Sequence, residues 1–197
     1  MAFRAAPDIA VAGRDTKIAI RDAAVRLFAA KGFEQTSLRE VADAVGITKA
    51  SLYYHYASKL DLLLAIMEPV VDHMRAVTAD LERVPHDAEG IRRVLRTYLR
   101  GLLEHRDAGV LVMRDTVAIV NAMASRYPDM MGESRTLRQW LAGPNPTAAD
   151  QLRACTALEV IGVALVSKEL VPDADDALVE SLLLDAATRV LTACVTA

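Results

Sequence analysis

The stretch Ser37–Tyr56, SLREVADAVGITKASLYYHY, constrains this chain more than any other. It reads as two short helices joined by a tight turn. Ser37 is a good N-cap, and Glu40 three residues on completes a capping box, in which each residue satisfies a backbone amide of the other. Leu38, Val41, Ala42 and Val45 then recur at helical spacing and give one apolar face. Gly46 falls where a helix ends in a left-handed residue, a conformation that glycine adopts without a Cβ clash. Ile47 plugs the corner, and Thr48 caps a second helix, Lys49 to Tyr56. Two helices with a glycine turn of this length form a helix-turn-helix, whose second helix fits a major groove.

The second helix divides into two faces. Leu52 and Tyr56 are four apart and anchor it to the first helix. Ala50 and Tyr54 point the other way, with Ser51 and Tyr53 on the flanks. The outward surface offers a small residue for close approach, hydroxyls for phosphate oxygens and aromatic edges for thymine methyls. His55 can donate to a phosphate. Lys59 adds a positive charge, and Ser58 caps the next helix, whose first amides suit a phosphate as well. The competing structural reading is a core cluster of tyrosines in an ordinary helical hairpin. The capped turn before the YYHY run and the Ser58-Lys59 pair after it favour nucleic acid.

Thr16 to Leu63 resembles the DNA-binding domain of TetR-type transcriptional regulators. The resemblance is carried by Ala23, Leu27, Phe28, Gly32 and Phe33, then Thr36-Ser37, Val41-Ala42, Val45-Gly46-Ile47, Leu52-Tyr53-Tyr54-His55-Tyr56 and Lys59. It covers about a quarter of the chain. Tyr56 departs from the pattern, since the family usually has phenylalanine there. The expected DNA-contacting set is Thr36, Ser37, Thr48, Lys49, Ala50, Ser51, Tyr53, Tyr54, His55 and Lys59. The resemblance implies an all-α fold, a three-helix DNA-binding domain followed by a helical ligand-binding and dimerisation domain. It also implies a regulator, most often a repressor, released from DNA by a small molecule. The expected division is residues 1–13 as a flexible arm, 14–74 as the DNA-binding domain with its helix-turn-helix at 37–56, and 75–197 as the body.

Charge distribution fits this reading better than net charge does. The net charge is −3, which by itself argues against a nucleic-acid binder. Residues 1–60, however, hold nine Lys/Arg and six Asp/Glu, and the remainder holds 14 and 20. A basic head on an acidic body permits local phosphate contact without general stickiness to polyanions. Cys155 and Cys194 match no metal spacing and suit free thiols in a reducing compartment. With no signal peptide and no apolar run of membrane-spanning length, the expectation is a cytoplasmic protein that needs no cofactor.

In the arm, Arg4 and Arg14 are candidates for a minor groove, against a terminus with no role. A helix is expected from Thr16, with Ile20, Ala24, Leu27 and Phe28 as its stripe and Gly32 at its end. The helix from Lys59 is expected to reach about Val84 with a kink near Pro69, either a hinge or a static bend. A helix from Ala88 to His105 carries Arg92, Arg93, Arg96 and Arg100 on one strip, read as a second nucleic-acid patch or as a solvated face paired with acids. Further helices are expected at Ala108–Ala124, from Pro128 through Trp140, at Thr147–Leu170 and at Asp175–Ala193, with a loop at Gly143–Pro146.

The last two helices are apolar on most sides. A chain this size does not need both to close its own core, so they are expected to pair with their copies in a twofold dimer through Leu158, Ile161, Leu165, Leu178, Leu182 and Ala186. Twofold symmetry would set the two reading helices about 34–36 Å apart, on successive major grooves of a palindrome. Effector-pocket candidates are Met67, Met74, Tyr98, Leu103, His105, Met113, Val117, Asn121 and Trp140, because methionine suits adaptable apolar pockets. Met123, Met130, Met131 and Arg114 are further candidates. Each of these also reads as plain core, and the implied ligand is apolar or amphipathic. No acid–base pair, nucleophile set or metal motif supports an enzyme. The rival of another class is a helical dimer that binds small molecules or partners without DNA.

Overall fold

The computed structural model describes residues 9–124, 126–127 and 130–192. Every regular element among them is helical, as expected of an all-α chain. The order is α1 (Ile9–Lys31), α2 (Leu38–Val45), α3 (Lys49–His55), α4 (Lys59–Ala79), α5 (Ala88–Glu104), α6 (Arg106–Arg114), α7 (Thr116–Ala124), α8 (Met130–Ala142), α9 (Ala148–Gly162), α10 (Ser167–Leu170) and α11 (Asp176–Thr192). Arg4, Pro128, Asp129 and Cys194 lie outside the described residues, as do the side chains of Arg14, Met130 and Met131.

The chain divides into two compact units. One holds the residues up to Met67 together with 111–122, and the other holds 68–110 with 123 onward. The expected boundary after residue 74 thus falls earlier, and a later segment is added to the first unit.

In the first unit, Ile20, Ala23, Ala24 and Phe28 of α1 are buried, with Leu38, Val41 and Ala42 of α2 and Leu52 of α3. The Phe28 and Phe33 rings meet edge to face at 5.3 Å between centroids. Helix α1 begins at Ile9, seven residues before Thr16. Residues 9–13 are therefore helical where an arm is expected, because Gly13 costs a helix only about 1 kcal/mol and does not break it. Helix α4 runs through Pro69 without a break and stops at Ala79, followed by a 3₁₀ turn at Leu81–Arg83. The expected helix over 108–124 is two helices separated at Asp115.

In the second unit, α5, α8, α9 and α11 surround a core of Leu95, Leu99, Leu137, Ala154, Ala157, Ile161 and Ala187. Helix α9 starts at a capping box, Thr147 with Asp150. It tightens to 3₁₀ at Val163–Val166 before α10, so the single helix expected to Leu170 is segmented. Gly143, in the expected loop, takes φ +94°. Of the arginine strip on α5, Arg100 pairs with Glu180 through two 2.9 Å bonds, and Arg92 reaches Asp185 at 2.7 Å. Arg96 lies 3.8 Å from the same glutamate. These pairs lace α5 to α11 and support the reading of a paired, solvated face. Cys155 is a half-buried free thiol.

Candidate nucleic-acid interface

The helix-turn-helix forms by the local chemistry of its caps. The Ser37 amide donates to Glu40 Oε2 at 2.8 Å, and the Glu40 amide donates back to Ser37 Oγ at 3.3 Å. Lys31 closes on the other carboxylate oxygen at 2.5 Å. The lysine and the cap together hold the Glu40 carboxyl down at about 2, well below its usual 4.5. Gly46 takes φ +73°, and its amide and that of Ile47 return to the last carbonyls of α2. Nothing lies within 4 Å of where a Cβ would stand, so the backbone angle alone selects glycine there. Thr48 Oγ1 accepts the Ser51 amide at 3.1 Å and starts α3.

That geometry fixes which face of α3 is free. Leu52 is fully buried, and Tyr56 is 8% exposed, its phenol pushed up by burial. Tyr54 is 87% exposed and Tyr53 is 45% exposed. Thr48, Lys49 and Ala50 are exposed, and Ser51 and His55 are half-buried. The Lys49 ammonium lies 5.5 Å from the centre of the Tyr53 ring, and the Tyr54 and His55 rings meet edge-on. The core reading of the YYHY run holds for Tyr56 and fails for Tyr53 and Tyr54. Beside this face is an open cleft of about 480 Å³, lined among others by Ser37, Arg39, Lys49, Tyr53, Ser58 and Lys59. A convex aromatic and hydroxylic ridge beside a cleft with cationic walls fits base edges on the ridge and phosphate in the cleft. Arg39 is a wall residue that the sequence reading missed. Its exposed place on the flank of α2, off the apolar positions Leu38, Val41 and Val45, was the available signal.

Two expected contact residues have other duties. Thr36 is 2% exposed, and its hydroxyl donates to Gly32 O at 2.9 Å and Leu27 O at 3.3 Å. Its hydroxyl is engaged by the turn after α1, although the residue also lines the cleft. Lys59 donates to Phe33 O at 2.8 Å and Glu34 O at 3.0 Å, and its ammonium lies 4.5 Å from the Phe33 ring centre. An ammonium has three donors, so one is left for the cleft. Ser58 Oγ accepts the Asp61 amide at 3.0 Å, which caps α4.

The effector candidates are divided between the two units. Met74, Tyr98, Leu103 and Trp140 pack against the core of the second unit. His105 belongs to the same unit and is half-buried, its ring 6.2 Å from that of His73. His73 reaches the Thr97 carbonyl at 3.1 Å by lying against Gly101, where a Cβ would stand 2.0 Å from the imidazole. Met67, Met113, Val117 and Asn121 belong to the first unit. Met67 is core there at 1% exposure, whereas Val117 is 73% and Met113 50% exposed, and Asn121 is exposed. The end of the helix at Arg114 turns Val117 and Asn121 outward. Arg114 donates to Ala29 O within the first unit.

The dimer candidates divide as well. Leu178, Leu182 and Ala186 form an exposed stripe on α11, the two leucines at 51% and 60%. Ile161 is fully buried in its own unit, because it shares the inward face of α9 with Ala154 and Ala157. It is removed from the expected interface. Leu158 and Leu165 are half-buried. Leu152 at 68% and Val163 at 41% supply the outward apolar surface of that segment.

These features define a helix-turn-helix protein with an exposed reading helix. Residues 20–66 match the family of bacterial regulatory proteins known as the tetR family. An HTH-type transcriptional regulator from Bacillus subtilis is 30% identical over 107 residues, 52% of this chain and 37% of its own length. The HTH-type transcriptional repressor KstR2 from Mycobacterium tuberculosis is 30% identical over 94 residues, 47% of this chain and 46% of that one. The chain thus spans less than half the length of these curated relatives. The crystal structure of Mycobacterium smegmatis AmtR superposes with a TM-score of 0.66 at 25% identity, over 89% of this chain and 85% of that one. Residues 20–66, in the first unit, are thus the part of this chain that is similar to the tetR family of bacterial regulatory proteins. No helix among the described residues is long and apolar enough to cross a membrane.

Proposed function

We propose that this chain is a ligand-responsive transcriptional repressor that binds a palindromic operator as a homodimer in the cytoplasm. The observation that carries the reading is the division of α3 into a buried Leu52 and an exposed Tyr54, which leaves a reading face free on a helix held by caps at both ends. The family match over residues 20–66 supports it, and a curated relative is itself named a repressor. The exposed stripe of Leu178, Leu182 and Ala186, with Leu152 and Val163, supports a twofold dimer through α11 and the α9 segment. DNA contact falls to Ser37, Thr48, Lys49, Ala50, Ser51, Tyr53, Tyr54 and His55, with Lys59 in a double role.

The effector belongs to the second unit, near Met74, Tyr98, Leu103, His105 and Trp140. It acts by binding the DNA-incompetent dimer more tightly, since equal affinity for both states shifts nothing. The test is fluorescence anisotropy with a selected DNA fragment. Tyr54→Ala and Lys49→Ala are expected to weaken binding at least about tenfold, the loss of one good base or phosphate contact. Unchanged affinity in both variants refutes the placement of the reading helix.

A further inference from the structure

The second unit contains a buried cation whose inner edge is unmatched. Arg106 is only 7% exposed, yet its Nε and Nη1 have no hydrogen-bond partner. A guanidinium stays charged at every pH at which a protein folds. Its Nη2 meets Asp176 Oδ1 at 2.7 Å. That carboxylate is 57% exposed and touches Arg106 through one oxygen, so it faces water and serves the outer edge of the guanidinium. The Nε hydrogen and both Nη1 hydrogens remain on the buried side.

The fold holds this side chain in place. Helix α5 ends at Glu104 with His105 as its C-cap, and α6 begins at Arg106. Gly109 is one turn further along the same face of α6 and is buried. A Cβ there would stand 2.6 Å from Leu165 Cδ2. The missing side chain lets the apolar Leu165 close against α6, one turn from Arg106. Buried donors facing hydrocarbon are costly unless an acceptor meets them.

We propose that Arg106 is the recognition group of a small-molecule site, and that its ligand is a carboxylate carried on an apolar body. A guanidinium already shared with Asp176 offers at most one positive charge, which suits a monoanion and not a phosphate dianion. Leu165, one turn along α6, offers apolar surface for a body behind the charged end. The inference deepens the proposed function and rests on its placing the effector in the second unit.

The test uses the full-length protein and octanoate as probe, with 1-octanol and inorganic phosphate as controls, read by calorimetry and thermal unfolding. Octanoate is expected to bind and raise the Tm, and neither control is expected to match it. Arg106→Met should lose about tenfold or more of that affinity, as expected for a charge-assisted contact. Arg106→Lys should recover only part. Should Arg106→Met fail to fold, Asp176→Asn decides: removing the competing carboxylate is expected to tighten octanoate binding. Equal affinity of wild type and Arg106→Met, no response across carboxylates from acetate to dodecanoate, or an equal response to 1-octanol overturns the proposal. Titrating the same probe into the protein–DNA complex separates the two readings. Octanoate that binds through Arg106 without releasing DNA refutes the effector role and leaves the site standing.

Discussion

Replacing Lys59 and Tyr54 by alanine separates residues that build the reading head from residues that read. The Lys59 ammonium donates at 2.8 and 3.0 Å to the carbonyls of Phe33 and Glu34 and lies over the Phe33 ring. Hydrogen bonds from a charged donor are worth about 1.5–3 kcal/mol when buried, and partial exposure here puts the pair together near the low end of one. The ring contact adds about 0.5–1 kcal/mol. Lys59→Ala should therefore destabilise the protein by about 2–2.5 kcal/mol. For a chain of this size that lowers Tm by about 4–10 °C. Tyr54 is 87% exposed, so Tyr54→Ala should stay within about 0.5 kcal/mol of wild type. Both variants should bind operator DNA more weakly. Thermal unfolding followed by circular dichroism, alongside anisotropy with DNA, reads both quantities. An unchanged Tm in Lys59→Ala refutes the clasp, and a Tyr54→Ala variant as unstable as Lys59→Ala refutes the division of roles.

Thr36→Val should cost about 1–2 kcal/mol through the lost bonds to Gly32 and Leu27, yet leave DNA affinity unchanged once folded, as equilibrium unfolding and anisotropy will show. The Glu40 carboxyl titrates at about 2 in the folded chain and near 4.5 otherwise. Its contribution is whole above the higher value and is lost as pH falls toward the lower one. Glu40→Gln should therefore flatten the loss of stability over that acid range, measured by thermal unfolding at successive pH. Leu178→Glu combined with Leu182→Glu places charges in the exposed stripe on α11 and should give a folded monomer by sedimentation, with operator affinity lost. A dimer that survives both changes moves the interface elsewhere.

The helix-turn-helix was legible because its determinants are local. A capping box at Ser37 and Glu40, a glycine at the corner and a threonine cap each act within four residues, and the structure realises all three. The faces of α3 followed from helical spacing. What sequence pattern did not reveal depends on groups distant in the chain. The Thr36 hydroxyl donates to Leu27 O of α1 as well as to Gly32 O just beyond it, and Lys59 reaches back 26 residues to Phe33. Ile161 looked equivalent to Leu178 and Leu182 by composition. Only the packing of α9 against α11 and α8 assigns it to the interior. The buried inner edge of Arg106 has no signature in the sequence, since an arginine between His105 and Asp107 reads as surface. The meeting of His73 and His105 depends on Gly101, 28 residues beyond the first of them.

The central claim is that a twofold dimer reads DNA through α3. Its most direct test is selection of bound fragments from genomic DNA by the purified, effector-free protein at stated salt, followed by sequencing. A twofold reader should enrich an inverted repeat whose half-sites lie about one helical turn, or about 34–36 Å, apart. Tyr54→Ala should abolish the enrichment. A folded dimer that enriches no sequence, or one whose enrichment survives Tyr54→Ala together with Lys49→Ala, would contradict the claim.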